Sequence, residues 1–178
     1  MIDLPLFLVG LPGCGKSKVG GLLGRALGVP HVDTDQVVEA EAGRSIAEIF
    51  EALGEAEFRR LEAGAVQNLA DFEGIVSLGG GAIETESVRE VLSKGNTVWI
   101  RASKLELLRR IKRGTKRPLM RENPERTLDQ LWQKRNPLYQ EVVGSWVWTS
   151  SGSPRRVVEA ILKKQQTTVT VQPADQRP

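Results

Sequence analysis

Apolar side chains recur along this chain with two different periods. Extended-type segments, most of them nearly unbroken apolar runs, fall near 4–9, 31–33, 74–78, 96–101 and 145–149. Such runs suit strands covered on both faces. Between them, apolar residues three and four apart predict helices near 16–27, 34–42, 45–70 (with a break at Gly54), 84–93, 103–111, 125–139 and 154–164. Strands alternating with helices predict an α/β fold, a three-layer α/β/α sandwich around a five-stranded parallel sheet, over residues 1–166. In such folds ligands gather at the carboxyl ends of the strands. Two stretches interrupt the alternation. Residues 34–72 leave room for two or more helices between consecutive strands and predict a small subdomain. Residues 112–124, rich in Gly, Lys, Arg, Pro and Asn, predict a functional loop such as a lid. Residues 167–178 carry no period and are expected to be a disordered tail.

Composition narrows the class. The 178 residues are 40% hydrophobic and 26% charged, ordinary values for a globular chain. No apolar run approaches membrane-spanning length, and the first residues lack the basic-then-apolar order of a secretory leader. One cysteine, Cys14, rules out an internal disulfide framework, and one histidine, His31, argues against His-based metal sites or a Ser-His-Asp triad. The expectation is therefore a cytoplasmic protein with no membrane partner. Net charge is +3, yet residues 101–126 hold ten Lys/Arg against three acids. That stretch lacks the interleaved aromatics of a nucleic-acid surface. A solvated helix face or a basic lid over anionic phosphates suits it better.

Candidate chemistry starts at residues 10–17, Gly-Leu-Pro-Gly-Cys-Gly-Lys-Ser, between the first predicted strand and the first predicted helix. This is a complete phosphate-binding loop in the required context. Backbone N–H groups around Gly13, Cys14 and Gly15 can cradle phosphate oxygens at a helix N-terminus. Lys16 can reach the β- and γ-phosphates and Ser17 can ligate Mg²⁺. The expected ligand is a nucleoside triphosphate.

Other residues suggest an acceptor. In Asp33-Thr34-Asp35 the two carboxylates share a side of an extended chain and can approach Mg²⁺ and a substrate hydroxyl. Helix capping is the competing reading. Arg59 borders the apolar stripe of Phe58, Leu61, Ala65 and Leu69, with Glu62 near enough to hold it. Gly79, Gly80 and Gly81 follow an apolar strand and permit close approach of a ligand, or form a flexible turn. Ser77 stands where many P-loop enzymes place a carboxylate. Arg135 falls on the stripe of Leu128, Leu131, Trp132, Leu138 and Tyr139, where a guanidinium needs an anionic partner or a route to solvent.

Taken together these residues resemble the shikimate kinase family, within the nucleoside-monophosphate-kinase-like branch of P-loop proteins. The resemblance runs from Leu6 to about Leu162. It covers GLPGCGKS, Asp33-Thr34-Asp35, GRSIAEIF at 43–50, GEAEFRRLE at 54–62, LGGGA at 78–82, RPLM at 117–120 and RNPLY at 135–139. It implies ATP- and Mg²⁺-dependent phosphorylation of the shikimate 3-hydroxyl, on the route to chorismate and aromatic amino acids, by a monomer. It further implies Asp35 as base and substrate ligand, Asp33 beside the metal, and Arg59, Arg135 and Gly79–Gly81 around the substrate. Arg117 would come from the lid to the transferring phosphate, and Arg110 would pack near adenine. Lys18 stands where Thr is usual after the loop, Cys14 where a small residue is usual, and Ser150–Ser153 lacks an adenine-side arginine. A gluconate-kinase-like enzyme and a non-catalytic nucleotide switch on the same scaffold are the competing readings.

Overall fold

The computed structural model describes residues 2–113, 123–143, 145–148 and 153–166. Arg117, most of the predicted lid and the predicted 167–178 tail lie outside the described residues. Five strands, β1 (Leu6–Val9), β2 (His31–Asp33), β3 (Ile75–Ser77), β4 (Asn96–Arg101) and β5 (Ser145–Trp148), form one parallel sheet in the order β2-β3-β1-β4-β5. Leu6 is in register with Ile75 on one side and Asn96 on the other. β1 is central, with all four residues buried, as its unbroken apolar run requires.

The helices are α1 (Lys16–Leu27), α2 (Thr34–Ala42), α3 (Ile46–Asn68), α4 (Glu86–Lys94), α5 (Lys104–Arg113), α6 (Pro124–Val142) and α7 (Pro154–Gln166). The main core gathers Leu6, Phe7, Leu8, Leu23, Ile75, Ile100, Leu128, Tyr139 and Ile161. Within 34–72, α2 and α3 share a second cluster of Val38, Ile49, Phe58 and Ala65. The expected break falls at Gly54, whose φ of 80° interrupts α3. A Ser45–Glu48 capping box starts that helix.

Two helix boundaries differ from the sequence pattern. α6 runs three residues past its predicted end at 139, through Val142, which is buried. Residues 82–84 form a separate 3₁₀ turn, so α4 begins at Glu86 and not at 84.

α1 approaches the sheet closely. A Cβ placed on Gly20 would overlap the His31 imidazole, whose Nε2 lies 3.0 Å from Ser77 Oγ. Burial holds the proton affinity of His31 below its ordinary 6.5, partly opposed by the nearby Asp33 charge. The unfolded chain therefore binds the proton more tightly. This site's contribution is complete above about pH 6.5 and declines as pH falls through 6.5 toward the lower folded value. Melting curves between pH 7.5 and 5 should show wild type losing more Tm than His31→Gln. Parallel Tm profiles would contradict that assignment.

Candidate active site

The phosphate loop turns through Gly10, Gly13 and Gly15, all at positive φ. Gly15, at φ 102°, is the residue before α1, so a side chain there would strain the turn that aims N–H groups at the cradle. Lys16 is buried and its Nζ donates to the Gly10 carbonyl at 2.8 Å, folding back across its own loop. Arg110 of α5 braces the loop from outside. Its Nη1 donates to the carbonyls of Gly13 (3.2 Å) and Cys14 (2.9 Å), while Nε pairs with Glu106 at 2.6 Å. Sequence reasoning did not foresee that contact. Cys14 is buried as part of the main core, with its Sγ 4.0 Å from Lys16 Nζ. Lys18 is exposed.

Asp33 joins the start of α2 to the end of the phosphate loop. Its Oδ1 accepts from the Asp35 backbone N–H at 3.1 Å, capping α2, while Oδ2 accepts from Ser17 Oγ at 2.5 Å. Asp35 then sits in the first turn of α2. Burial, reinforced by the Asp33 charge, raises its proton affinity above that of an ordinary aspartate, with Lys16 and Arg59 partly opposing.

The acceptor-side residues meet at the turn after β3. Gly79 N–H donates to Thr34 Oγ1 at 2.8 Å, tying that turn to the start of α2. A Cβ on Gly79 would overlap both Asp35 Oδ1 and Glu62 Oε1, and one on Gly81 would overlap the Arg59 guanidinium. One on Gly80 would press on Pro12 of the phosphate loop at 2.9 Å and stand 3.7 Å from Arg135 Nη1. Three adjacent glycines thus leave room at the point where two carboxylates, two guanidinium groups and the phosphate loop converge. The same closeness explains the glycines: any side chain would fill the space.

Glu62 is an addition the sequence suggested only as a tether for Arg59. It pairs with Arg59 Nη1 at 2.7 Å, yet its Oε1 is buried without a hydrogen-bond partner among the described residues. Burial first, then the pull of Arg59 against it, leaves its carboxyl with raised proton affinity. Arg59 also reaches Glu55 at 3.2 Å, and Arg135, 7% exposed, donates from Nε to Glu84 at 2.7 Å. Each guanidinium therefore already holds a carboxylate, which is how such buried charge is tolerated.

A phosphate cradle facing a pocket of carboxylate and guanidinium groups, on this strand order, makes the chain a P-loop kinase acting on a small molecule. The comparisons agree. The family model for shikimate kinase matches residues 12–166. Shikimate kinase from Corynebacterium efficiens is 45% identical over 156 residues, 87% of this chain and 92% of that one. The Mycobacterium tuberculosis shikimate kinase is 45% identical over 162 residues, 89% and 92% of the two chains. A solved shikimate kinase from Acinetobacter baumannii in complex with shikimate matches with TM-score 0.83 at 37% identity, covering 89% of this chain and 90% of that one. The chain belongs to the shikimate kinase family.

Proposed function

We propose that this protein transfers the γ-phosphoryl group of ATP to the 3-hydroxyl of shikimate, giving shikimate 3-phosphate and ADP on the way to aromatic amino acids. The observation that carries the reading is the Gly79–Gly81 turn. There Asp35, Glu62, Arg59 and Arg135 converge on space that borders the phosphate loop at Pro12. Arg59 and Arg135 would grip the substrate carboxylate through paired N–H donors. Gly79–Gly81 would line the ring, and the α2–α3 insertion would serve as the acceptor-binding subdomain. Asp35 would accept the hydroxyl proton as that oxygen bonds to the γ-phosphorus. The bond from γ-phosphorus to the bridging oxygen then breaks, and its electron pair leaves with ADP. The raised proton affinity of Asp35 suits a base working near neutral pH.

Gly13, Cys14, Gly15, Lys16, Ser17 and Lys18 supply the triphosphate end. Lys16 would leave the Gly10 carbonyl for the β- and γ-phosphates. Arg117 from the lid would join it on the transferring group and exclude water. Arg110 would hold the loop in shape beneath the nucleotide. The pair Ser17 Oγ and Asp33 Oδ2 offers hard oxygen donors of the kind Mg²⁺ prefers. Phosphate and water would complete the shell around that pair. When bound, Mg²⁺ neutralises charge on the phosphate oxygens. The protein would work as a monomer in the cytoplasm. Among the described residues no helix is long and apolar enough to cross a membrane.

A coupled ADP-release assay tests the reading. ADP should form rapidly with ATP, Mg²⁺ and shikimate, and at least about 100-fold more slowly with gluconate or no acceptor. Equal release in all three would contradict it.

A further inference from the structure

Arg135 works in the proposed acceptor site only if its guanidinium plane faces the glycine turn, and one residue fixes that plane. Glu84 lies 51 positions earlier, in the 3₁₀ turn Ala82–Glu84 directly after the three glycines. Its Oε1 accepts from Arg135 Nε at 2.7 Å, which leaves the four N–H donors of the two Nη groups, with Nη1 3.7 Å from where a Cβ on Gly80 would stand. Its other oxygen accepts from Lys134 Nζ at 2.6 Å. Both oxygens are thus committed to neighbouring residues of α6, and the trio stays net positive toward an arriving anion.

The backbone of Glu84 is fixed as firmly. Its N–H donates to the Gly81 carbonyl at 2.9 Å, and Arg89 Nη1 donates to the carbonyls of Ile83 and Glu84, each at 3.0 Å. Arg89 faces Glu141 of α6 at 3.6 Å. Glycine turn, 3₁₀ turn and α6 are joined through this one acid. Lys134 and Arg135 hold its carboxyl below the ordinary glutamate range despite burial that pushes it upward, so Glu84 stays ionised as an acceptor at neutral pH.

We propose that Glu84 is a positioning residue that orients Arg135 for the acceptor's carboxylate while touching no substrate itself. The proposal rests on the function given above. Glu84→Ala should raise the shikimate KM and the calorimetric Kd by about tenfold, the size of losing a well-aimed charged contact, with kcat within about threefold. Glu84→Gln keeps an oxygen for Nε–H and should stay within about threefold of wild type in KM. If the alanine variant does not fold, Glu84→Asp draws the oxygen back by one methylene and should still raise KM severalfold. Arg135→Ala serves as the reference. A large KM increase there with an unchanged KM in Glu84→Ala, or with Glu84→Gln as impaired as Glu84→Ala, would overturn the positioning role alone. A lower KM in Glu84→Ala would show that Glu84 competes with the substrate, and would also overturn it. An unaffected Arg135→Ala would instead remove the acceptor-site reading on which the proposal stands.

Discussion

Asp35→Asn should lower kcat by about 10²- to 10⁴-fold while the ATP Kd changes by less than about threefold. The substitution is nearly isosteric. The Asp33 cap on the residue 35 backbone N–H survives it, so α2 should begin where it does now. On the proposed function, the substitution removes the acceptor for the hydroxyl proton, and with it the charge that would align that hydroxyl. The amide also relieves crowding between buried carboxylates, since Asp35 and Glu62 face the same glycine. The variant should therefore melt no lower than wild type. Coupled ADP release at saturating shikimate, with a nucleotide titration alongside, separates the two effects. A kcat within threefold of wild type would show that Asp35 only positions the substrate.

Gly79→Ala should be nearly as damaging through a single methyl group. That methyl would overlap Asp35 Oδ1 and Glu62 Oε1, so both carboxylates must shift to admit it. Glu62 is held by Arg59, and the Gly79 backbone is held to Thr34. Displacing the base by roughly 1 Å is enough for about a 100-fold loss in kcat/KM. ATP affinity should be preserved, because the atoms nearest a Cβ on Gly79 belong to Asp35 and Glu62, whereas Pro12 of the phosphate loop lies nearest Gly80. Near-normal kcat/KM for shikimate would mean that the glycine turn is not the acceptor floor.

The sequence was most informative where chemistry is local. The phosphate loop, the strand runs, the Gly54 break and the Asp33-Thr34-Asp35 triplet each lie within one short segment, and the elements form there. Local pattern also marked Arg135 as a charge on an apolar stripe. It could not say which acid met that charge, because Glu84 is 51 residues away on a different element. Glu84 looked like the start of a helix. Glu62 looked like a surface tether, since an i,i+3 pair reads the same whether buried or solvated. The Arg110 brace on the phosphate loop spans almost a hundred residues and left no trace in spacing. The buried Cys14 thiol and the extension of α6 from 139 to Val142 were set by tertiary packing, which overrides local preference. Arg101, stacked over Trp99 at 4.5 Å and Trp132 at 5.6 Å, likewise depends on two elements meeting.

The claim at the centre of this account is that the guanidinium groups of Arg59 and Arg135 read a carboxylate while the hydroxyl beside it is phosphorylated. ADP release with shikimate and with its methyl ester, which keeps the ring and hydroxyls but removes the charge, addresses that claim most directly. The account predicts a kcat/KM at least about 100-fold lower for the ester, with wild-type ATP affinity throughout. Equal turnover of acid and ester would contradict it.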